Sequence, residues 1–551
     1  RSPAQFDQIG RERPRLDALA KSTGTAEFGI DAEVENLYRA AVVRSPVLGA
    51  ALESFDASAA LKQSGVVDVV QIKSGVAVVA QSYWQARKAA TSLELKWEKT
   101  ELGSWSSESI YKNFTDSLND SSQKGLECCN EGEGDKLLNQ SETMVAADYY
   151  APYLAHATME PLNCTVAVEG DSCKIYVGTQ SVQVSAGAAV YYGDFDADKV
   201  KMHPAFLGGG FGRRSLGDDV AEAVAIAKQS GRNIQLVWSR EDDMSNDFYR
   251  PAALVRMQAG VSKQGLIETW AVRRVGPNIM GHMVDAWLEV LAPDYLNKGF
   301  TDWLSKLGHP LFNRFVADAS NGDGIYGDYD TPNKAVRHVT QDPGLRTGFW
   351  RSVGHSSNAF FKESFIDELA QRAGIDELQF RLANMKNNPR LTEATELVAA
   401  KAGWGKPLPE GHFHGLATHS SFGSAVAQIA EVSIKGTQII VHKVTAAIHC
   451  GMVVNPEIVR DQVEGGIMYG LTAALYGEIT LVDGVVQQSN FHNYPMLRMA
   501  DAPEVEVHIV ESQEHPEGVG EPGLPPLAPA VANAVFKASG QRLRDLPLRL
   551  G

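Results

Sequence analysis

The spacing of apolar positions changes several times along the chain. Val66-Val67-Asp68-Val69-Val70 and Val76-Ala77-Val78-Val79-Ala80 are short runs of mostly β-branched residues, and they predict two strands that turn at Gly75. A helical period over residues 82–93 follows. Residues 221–229 predict a helix that stops at Gly231, and residues 367–384 predict one amphipathic helix. Strands are expected around residues 439–444 and 505–509, and a closing helix over 529–539 ends at Gly540. Residues 101–140 lack such a pattern. They are polar, with Asn119-Asp120-Ser121-Ser122 and Glu131-Gly132-Glu133-Gly134, and they predict a surface linker holding two surface thiols, Cys128 and Cys129. The fold class is mixed α+β and multidomain.

Composition adds exclusions. With 551 residues, 44% hydrophobic and 21% charged, the chain reads as globular with two to four domains. The 51 basic against 67 acidic residues give −16, which argues against a nucleic-acid surface. None of the five cysteines forms a Cys-x-x-Cys pair, so no iron–sulfur cluster or zinc ribbon is expected on this chain. No apolar run reaches the roughly 20 residues needed to span a bilayer. The chain opens on Arg1-Ser2 without a signal-like segment, so the N-terminus is expected to have been processed, cut or left out.

Five segments could carry chemistry. Leu207-Gly208-Gly209-Gly210-Phe211-Gly212-Arg213-Arg214 lets backbone N–H groups approach a phosphate or oxo ligand, or is simply a tight turn. It fits neither the dinucleotide nor the Walker pattern. Gly518-Val519-Gly520-Glu521-Pro522-Gly523 holds a carboxylate on a constrained loop before a helix, which suits a general base or an ordinary helix entry. In Thr179-Gln180-Ser181 the Gln amide can both donate and accept. Arg351, among aromatic and small residues in 348–355, needs an anionic partner, whether substrate, cofactor or a structural carboxylate. Asp461-Gln462-Val463-Glu464-Gly465-Gly466 reads as a helix start. His412, His414 and His419 lack zinc-ligand spacing and a carboxylate at a useful offset, so no protein-held metal is expected.

In this order the segments resemble the large subunits of molybdenum hydroxylases, the xanthine dehydrogenase/aldehyde oxidase family. Longer segments, 154–161, 237–243, 247–251, 347–369 and 494–499, resemble the isoquinoline 1-oxidoreductase β-subunit branch, which includes membrane-associated bacterial aldehyde dehydrogenases. The resemblance covers essentially the whole chain. It implies a hammerhead-like α/β domain at 1–105, the linker at 106–140, and a two-part molybdopterin-binding region at 141–405 and 406–551. It implies molybdopterin, as the cytosine dinucleotide, with molybdenum held by the pterin's dithiolene and not by protein ligands. It places Thr179, Gln180, Gly209, Gly210, Phe211, Gly212, Arg213, Gln462 and Gly520 at the cofactor. Glu521 is the implied catalytic base, and Arg351 orients substrate or stabilises negative charge.

The implied reaction is oxidative hydroxylation with water as the oxygen source, aldehyde to carboxylic acid first and hydroxylation of an N-heteroaromatic carbon second. A cofactor-free scaffold subunit is the rival of another class. Ser215 stands where purine-oxidising members carry an acidic residue, which argues against purines. No Gly-Gln-Gly occurs, so the branch's glycine–glutamine loop is expected on a missing segment or a separate chain. Electrons would leave through a small [2Fe–2S] subunit, with a cytochrome c subunit as a further partner. A bacterial periplasmic or membrane-associated setting is expected first, and a cytoplasmic one second.

Overall fold

The computed structural model describes residues 5–138, 143–291 and 298–551, so the expected boundary between residues 140 and 141 lies outside them. Helices and sheets are both present, with sheets of seven, five and four strands organising the described residues.

The seven-stranded sheet explains the valine runs. Strand Gly75–Ala80 is buried along its whole length and pairs antiparallel with Leu37–Arg44 and with Val66–Ile72. Helix Asp218–Ser230 contributes to the core on one face and helix Tyr83–Ala90 to the core on the other, so both faces select apolar side chains. Leu37–Arg44 also pairs parallel with Asn233–Val237, and beyond it come Asn163–Glu169, Ser172–Val177 and Val200–Pro204. Apart from the small pair Leu52–Asp56 and Glu94–Trp97, the strands of the first 105 residues therefore do not close a sheet of their own. Their strands leave an edge that residues 163–237 complete.

The described residues 106–138 differ from the linker expected over 106–140. They carry helix Ser107–Asn119, entered through the Ser106 cap, and strand Leu126–Glu131 at the edge of the five-stranded sheet. Ile110, Phe114 and Leu118 recur every fourth residue and are buried, a stripe too sparse to outweigh the polar composition around it. Cys128 and Cys129 are half-buried strand residues packed against the core.

The expected helix over 367–384 is two. His355–Ala373 runs almost wholly buried through the molecule and ends at Gly374 (φ 66°). A new helix, Glu377–Asn384, starts where the Asp376 carboxylate accepts the N–H groups of Leu378 and Gln379 at 3.0 and 3.1 Å. The four-stranded sheet, with strands Phe413–Ser421, Ser424–Lys435, Gln438–His449 and Glu504–Ile509, is covered by the closing helix Leu527–Ser539. That helix lies so close that a Cβ on Gly415 would stand 2.1 Å from the Ala530 carbonyl oxygen. A continuous apolar core from Ala147 to Leu548 joins the two regions expected as separate parts. Among the described residues no helix is long and apolar enough to cross a membrane.

Candidate active site

Parallel pairing builds half of the site. Strands Ser172–Val177 and Val200–Pro204 run side by side with Val177 opposite Pro204, so the loops that follow them leave the same sheet edge together. The first holds Thr179 and Gln180, and the second holds the glycine run. Gln180 Oε1 accepts the N–H of Gly212 at 3.0 Å and of Arg214 at 3.3 Å. Arg214, fully buried, ties the loop down by donating to the carbonyls of Gly209 (2.9 Å) and Glu160 (2.7 Å). The Glu160 carboxylate accepts the Gly208 N–H at 2.7 Å.

Two residues expected at the cofactor are engaged elsewhere. Arg213 turns inward and meets Asp218 through two 2.7 Å contacts and Asp247 at 2.9 Å. Burial alone would lower its pKa; these carboxylates hold it above the ordinary guanidinium value. Thr179 donates its hydroxyl to the Arg214 carbonyl at 3.1 Å and accepts from Ser181 N at 3.0 Å. Both residues shape the loop from behind.

The second half comes from three chain segments. Gln462 sits inside helix Pro456–Leu475, seven residues past its Asn455 cap, and not at a helix start as expected. Glu521 lies on the loop before the closing helix. Between them passes the loop 347–354, whose Ser352 (φ 74°) and Val353 (φ 49°) are left-handed. Arg351 Nη2 donates to Gly520 O at 2.6 Å and to Gln462 Oε1 at 3.2 Å. Ser352 N donates to Glu521 Oε1 at 2.8 Å. Burial lowers the Arg351 pKa, and the nearby Tyr469 and Glu521 oppose that fall.

The halves are locked together. Gly212 (φ 109°) lies against Phe349, whose carbonyl oxygen would be 1.9 Å from a Cβ there. His156 Nε2 meets that same carbonyl at 2.7 Å, and its Nδ1 faces Asp247 at 2.9 Å. Phe211 stacks on Tyr469 (4.2 Å between ring centres), and Tyr469 stacks on Trp350 at 4.8 Å. Gln180, Gly212, Arg351, Gln462, Gly520 and Glu521 thus belong to one connected shell. His156, Asp247, Phe349 and Tyr469 were not singled out from sequence. Their functional signal is spatial, a buried ion pair and a ring stack between distant segments.

A metal held by His412, His414 and His419 finds no support here. His412 and His414 share Glu431 from the neighbouring strand (2.6 and 3.9 Å), whereas His419 faces His355 at 2.8 Å and Lys362 at 3.0 Å. The carboxylate partner missed from sequence lies across the strand pair, where linear spacing does not show it.

The shell fits a large, oxygen-rich cofactor. Gly210 and Gly212 leave no room for side chains between the loop and its supports, whereas a Cβ on Gly520 would meet nothing within 4 Å. Backbone N–H groups, an amide and a guanidinium are the donors such a ligand needs, and no set of thiolate or imidazole ligands stands among them.

Comparisons with known proteins agree with that class. A molybdopterin cofactor-binding domain model matches residues 118–277, and a second matches residues 362–503. Isoquinoline 1-oxidoreductase subunit beta of Brevundimonas diminuta is 31% identical over 98% of this chain and 68% of its own length. A membrane-bound aldehyde dehydrogenase of Gluconacetobacter polyoxogenes is 29% identical over 98% of this chain and 71% of its own. The fold is that of quinoline 2-oxidoreductase from Pseudomonas putida 86, with a TM-score of 0.79 at 13% identity, over 98% of this chain and 97% of that one. The chain belongs to the xanthine dehydrogenase/aldehyde oxidase family of molybdenum hydroxylases, as a molybdopterin-binding large subunit. It is therefore an oxidoreductase subunit of that class.

Proposed function

We propose that this subunit oxidises aldehydes to carboxylic acids with water as the oxygen source. The observation that carries the reading is Glu521, a carboxylate fixed on a rigid loop by the Ser352 N–H and flanked by Arg351. When bound, molybdopterin supplies the two-electron redox step. The residues that would hold it are Gln180 and the backbone of Gly209, Gly210, Phe211 and Gly212 on one side, and Gln462 and Gly520 on the other. Glu521 Oε1 keeps the Ser352 N–H, and Oε2 takes the proton of the attacking water. Arg351 is anchored through Nε and Nη2, so its Nη1 donates to the substrate oxygen as negative charge grows there. Arg213 and Thr179 serve by holding the glycine loop in place.

The proposal extends to the cytosine dinucleotide form of the cofactor and to a small [2Fe–2S] partner that removes the electrons, with a cytochrome c subunit beyond it. A segment or chain with a glycine–glutamine loop would complete the cofactor enclosure. The bacterial relative described as membrane-bound supports a periplasmic or membrane-associated setting. Hydroxylation of an N-heteroaromatic carbon is the second reading, and the 31% identical isoquinoline enzyme favours it.

The deciding experiment assays the complex from its native host with aldehydes and quinolines and an artificial electron acceptor, alongside its molybdenum content. Aldehyde turnover with about one molybdenum per chain is expected. Quinoline turnover without aldehyde turnover establishes the second reading. A complex devoid of molybdenum makes the chain a scaffold.

A further inference from the structure

Away from this shell, three side chains from separate elements converge. His282 lies in the first turn of helix Gly281–Leu291, His309 in helix Lys298–Phe315, and Asp342 just after strand Asn333–Thr340. His309 Nε2 is 2.9 Å from Asp342 Oδ2, and His282 Nε2 is 3.9 Å from the same oxygen. One ligand atom from each residue lies within 4.8 Å of the others, the only such trio among the described residues. The imidazole rings are 4.3 Å apart and tilted by 58°, an arrangement in which both edges face the carboxylate.

Asp342 and His282 are held from behind. Asp342 Oδ1 accepts the Gly344 N–H at 2.8 Å, which leaves Oδ2 toward the histidines. Thr347 holds the far edge of the His282 ring, with its hydroxyl 3.2 Å and its N–H 3.3 Å from Nδ1. Asn313 approaches from the front: its amide nitrogen stands 2.8 Å from His309 Nε2 and 3.1 Å from Asp342 Oδ2, where a cation would displace it, and its Oδ1 accepts from Asn278 at 2.8 Å. The three ligand side chains are only 12–19% exposed, so water competes weakly for them.

Two imidazole nitrogens and one carboxylate oxygen form a borderline donor set, which selects zinc over the hard cations calcium and magnesium. In a tetrahedral zinc site with metal–ligand distances of about 2.0–2.1 Å, ligand atoms stand roughly 3.3–3.4 Å apart. The separations of 2.9 and 3.9 Å lie on either side of that value, so the site closes by side-chain rotations that also swing the Asn313 amide off Nε2 and Oδ2. We propose that His282, His309 and Asp342 bind one zinc ion, with water in the fourth position, and that the ion ties the two helices to the end of the strand. The role is structural: none of the three belongs to the shell around Glu521, and His282 lines a cavity of about 670 Å³ with Phe248 and Arg346. The long gaps between these residues in the chain are why no sequence motif shows them.

The test uses the full chain with its partners, stripped of loosely held metal and titrated with Co2+ and then Zn2+. One Co2+ per chain with intense visible bands of a four-coordinate ion, displaced by one Zn2+, is expected. His309→Gln and Asp342→Asn should each weaken that binding at least tenfold, while His412→Asn, at a half-buried histidine–glutamate pair elsewhere, leaves it unchanged. If the wild type binds no Co2+ or Zn2+ beyond the level of the His309→Gln variant, the proposal fails. Should the variants not fold, X-ray absorption at the zinc edge of the wild type decides. Two imidazoles and oxygen ligands at about 2.0–2.2 Å support the site, and no bound zinc, or sulfur ligation, overturns it.

Discussion

Glu521 and Ser352 bond to each other twice. The Ser352 N–H donates to the Glu521 carboxylate at 2.8 Å, and the Ser352 hydroxyl donates to the Glu521 carbonyl at 2.9 Å. Left-handed conformations at Ser352 and at the β-branched Val353 each cost of order 1–3 kcal/mol, so the surroundings must enforce them. The reciprocal pair is one such constraint. It fixes the Glu521 carboxylate through backbone and not through a mobile side chain.

Replacing Glu521 with Gln therefore separates the base from the scaffold. The Gln amide oxygen still accepts the Ser352 N–H, so folding and molybdenum content should stay as in the wild type. Turnover should fall by about 10²–10⁴-fold, the usual worth of a positioned general base. Steady-state rates with an artificial acceptor, normalised to molybdenum per chain, check this. Near-normal turnover would remove Glu521 from the mechanism.

Arg351 makes a planar fork to Gly520 O and Gln462, which a lysine cannot reproduce. Arg351→Lys should lower kcat/KM by about 10–100-fold, corresponding to the loss of charged hydrogen bonds worth about 1.5–3 kcal/mol. If Arg351 acts on charge formed in the transition state, the loss falls mainly on kcat. A change in KM alone would assign it to substrate binding.

Gly212 is held at φ 109° with no room for a methyl group beside the Phe349 carbonyl. Gly212→Ala should push the glycine loop away from Phe349 and weaken cofactor retention. The expected sign is a lower molybdenum content together with a lower apparent Tm. An alanine variant with both values unchanged would show that the loop and Phe349 are not rigidly joined.

Much of this architecture is legible in the chain, for identifiable reasons. The valine runs of 66–80 announce strands because that sheet is covered on both faces, and the closing helix is announced by its apolar stripe and Gly540. The segments holding Glu521, Arg351, Gln462 and Gln180 can be picked out in the chain, but their roles come from the family resemblance and their meeting in one shell leaves no local pattern. Helix Ser107–Asn119 is not legible, because only three buried apolar residues serve a helix whose remaining faces are mostly polar. The shared sheet of residues 37–80 and 163–237 is not either, since strand pairing at that separation leaves no local pattern.

The ion pair of Asp247 with Arg213 belongs to that hidden class, and its removal should be costly. Asp247 also faces His156, so Asp247→Asn leaves a buried guanidinium short of one partner and frees the ring that holds Phe349. Breaking a buried pair on one side costs about 3–5 kcal/mol. Denaturant unfolding followed at two wavelengths should show this loss, and His156→Gln should show a smaller one. Equal stability in Asp247→Asn and wild type would mean that Asp218 alone satisfies Arg213.

Asp219 contributes a pH-dependent part of the stability whose sign follows from its burial. It is buried in the first turn of helix Asp218–Ser230, and burial, reinforced by the neighbouring Asp218 charge, pushes its carboxyl up to about 7. In the unfolded chain an aspartate titrates near about 3.9. Between those values the folded protein holds a proton that the unfolded chain has released, so stability falls as pH rises. The contribution is fully present below pH of about 4, declines by at most about 1.4 kcal/mol per pH unit, and is gone above about 7. Asp219→Asn removes the titrating group. The unfolding midpoint of the variant, relative to wild type, should rise steadily from pH 4.5 to 7 and level off above it. Parallel profiles for the two proteins over that range would place the Asp219 pKa at its ordinary value.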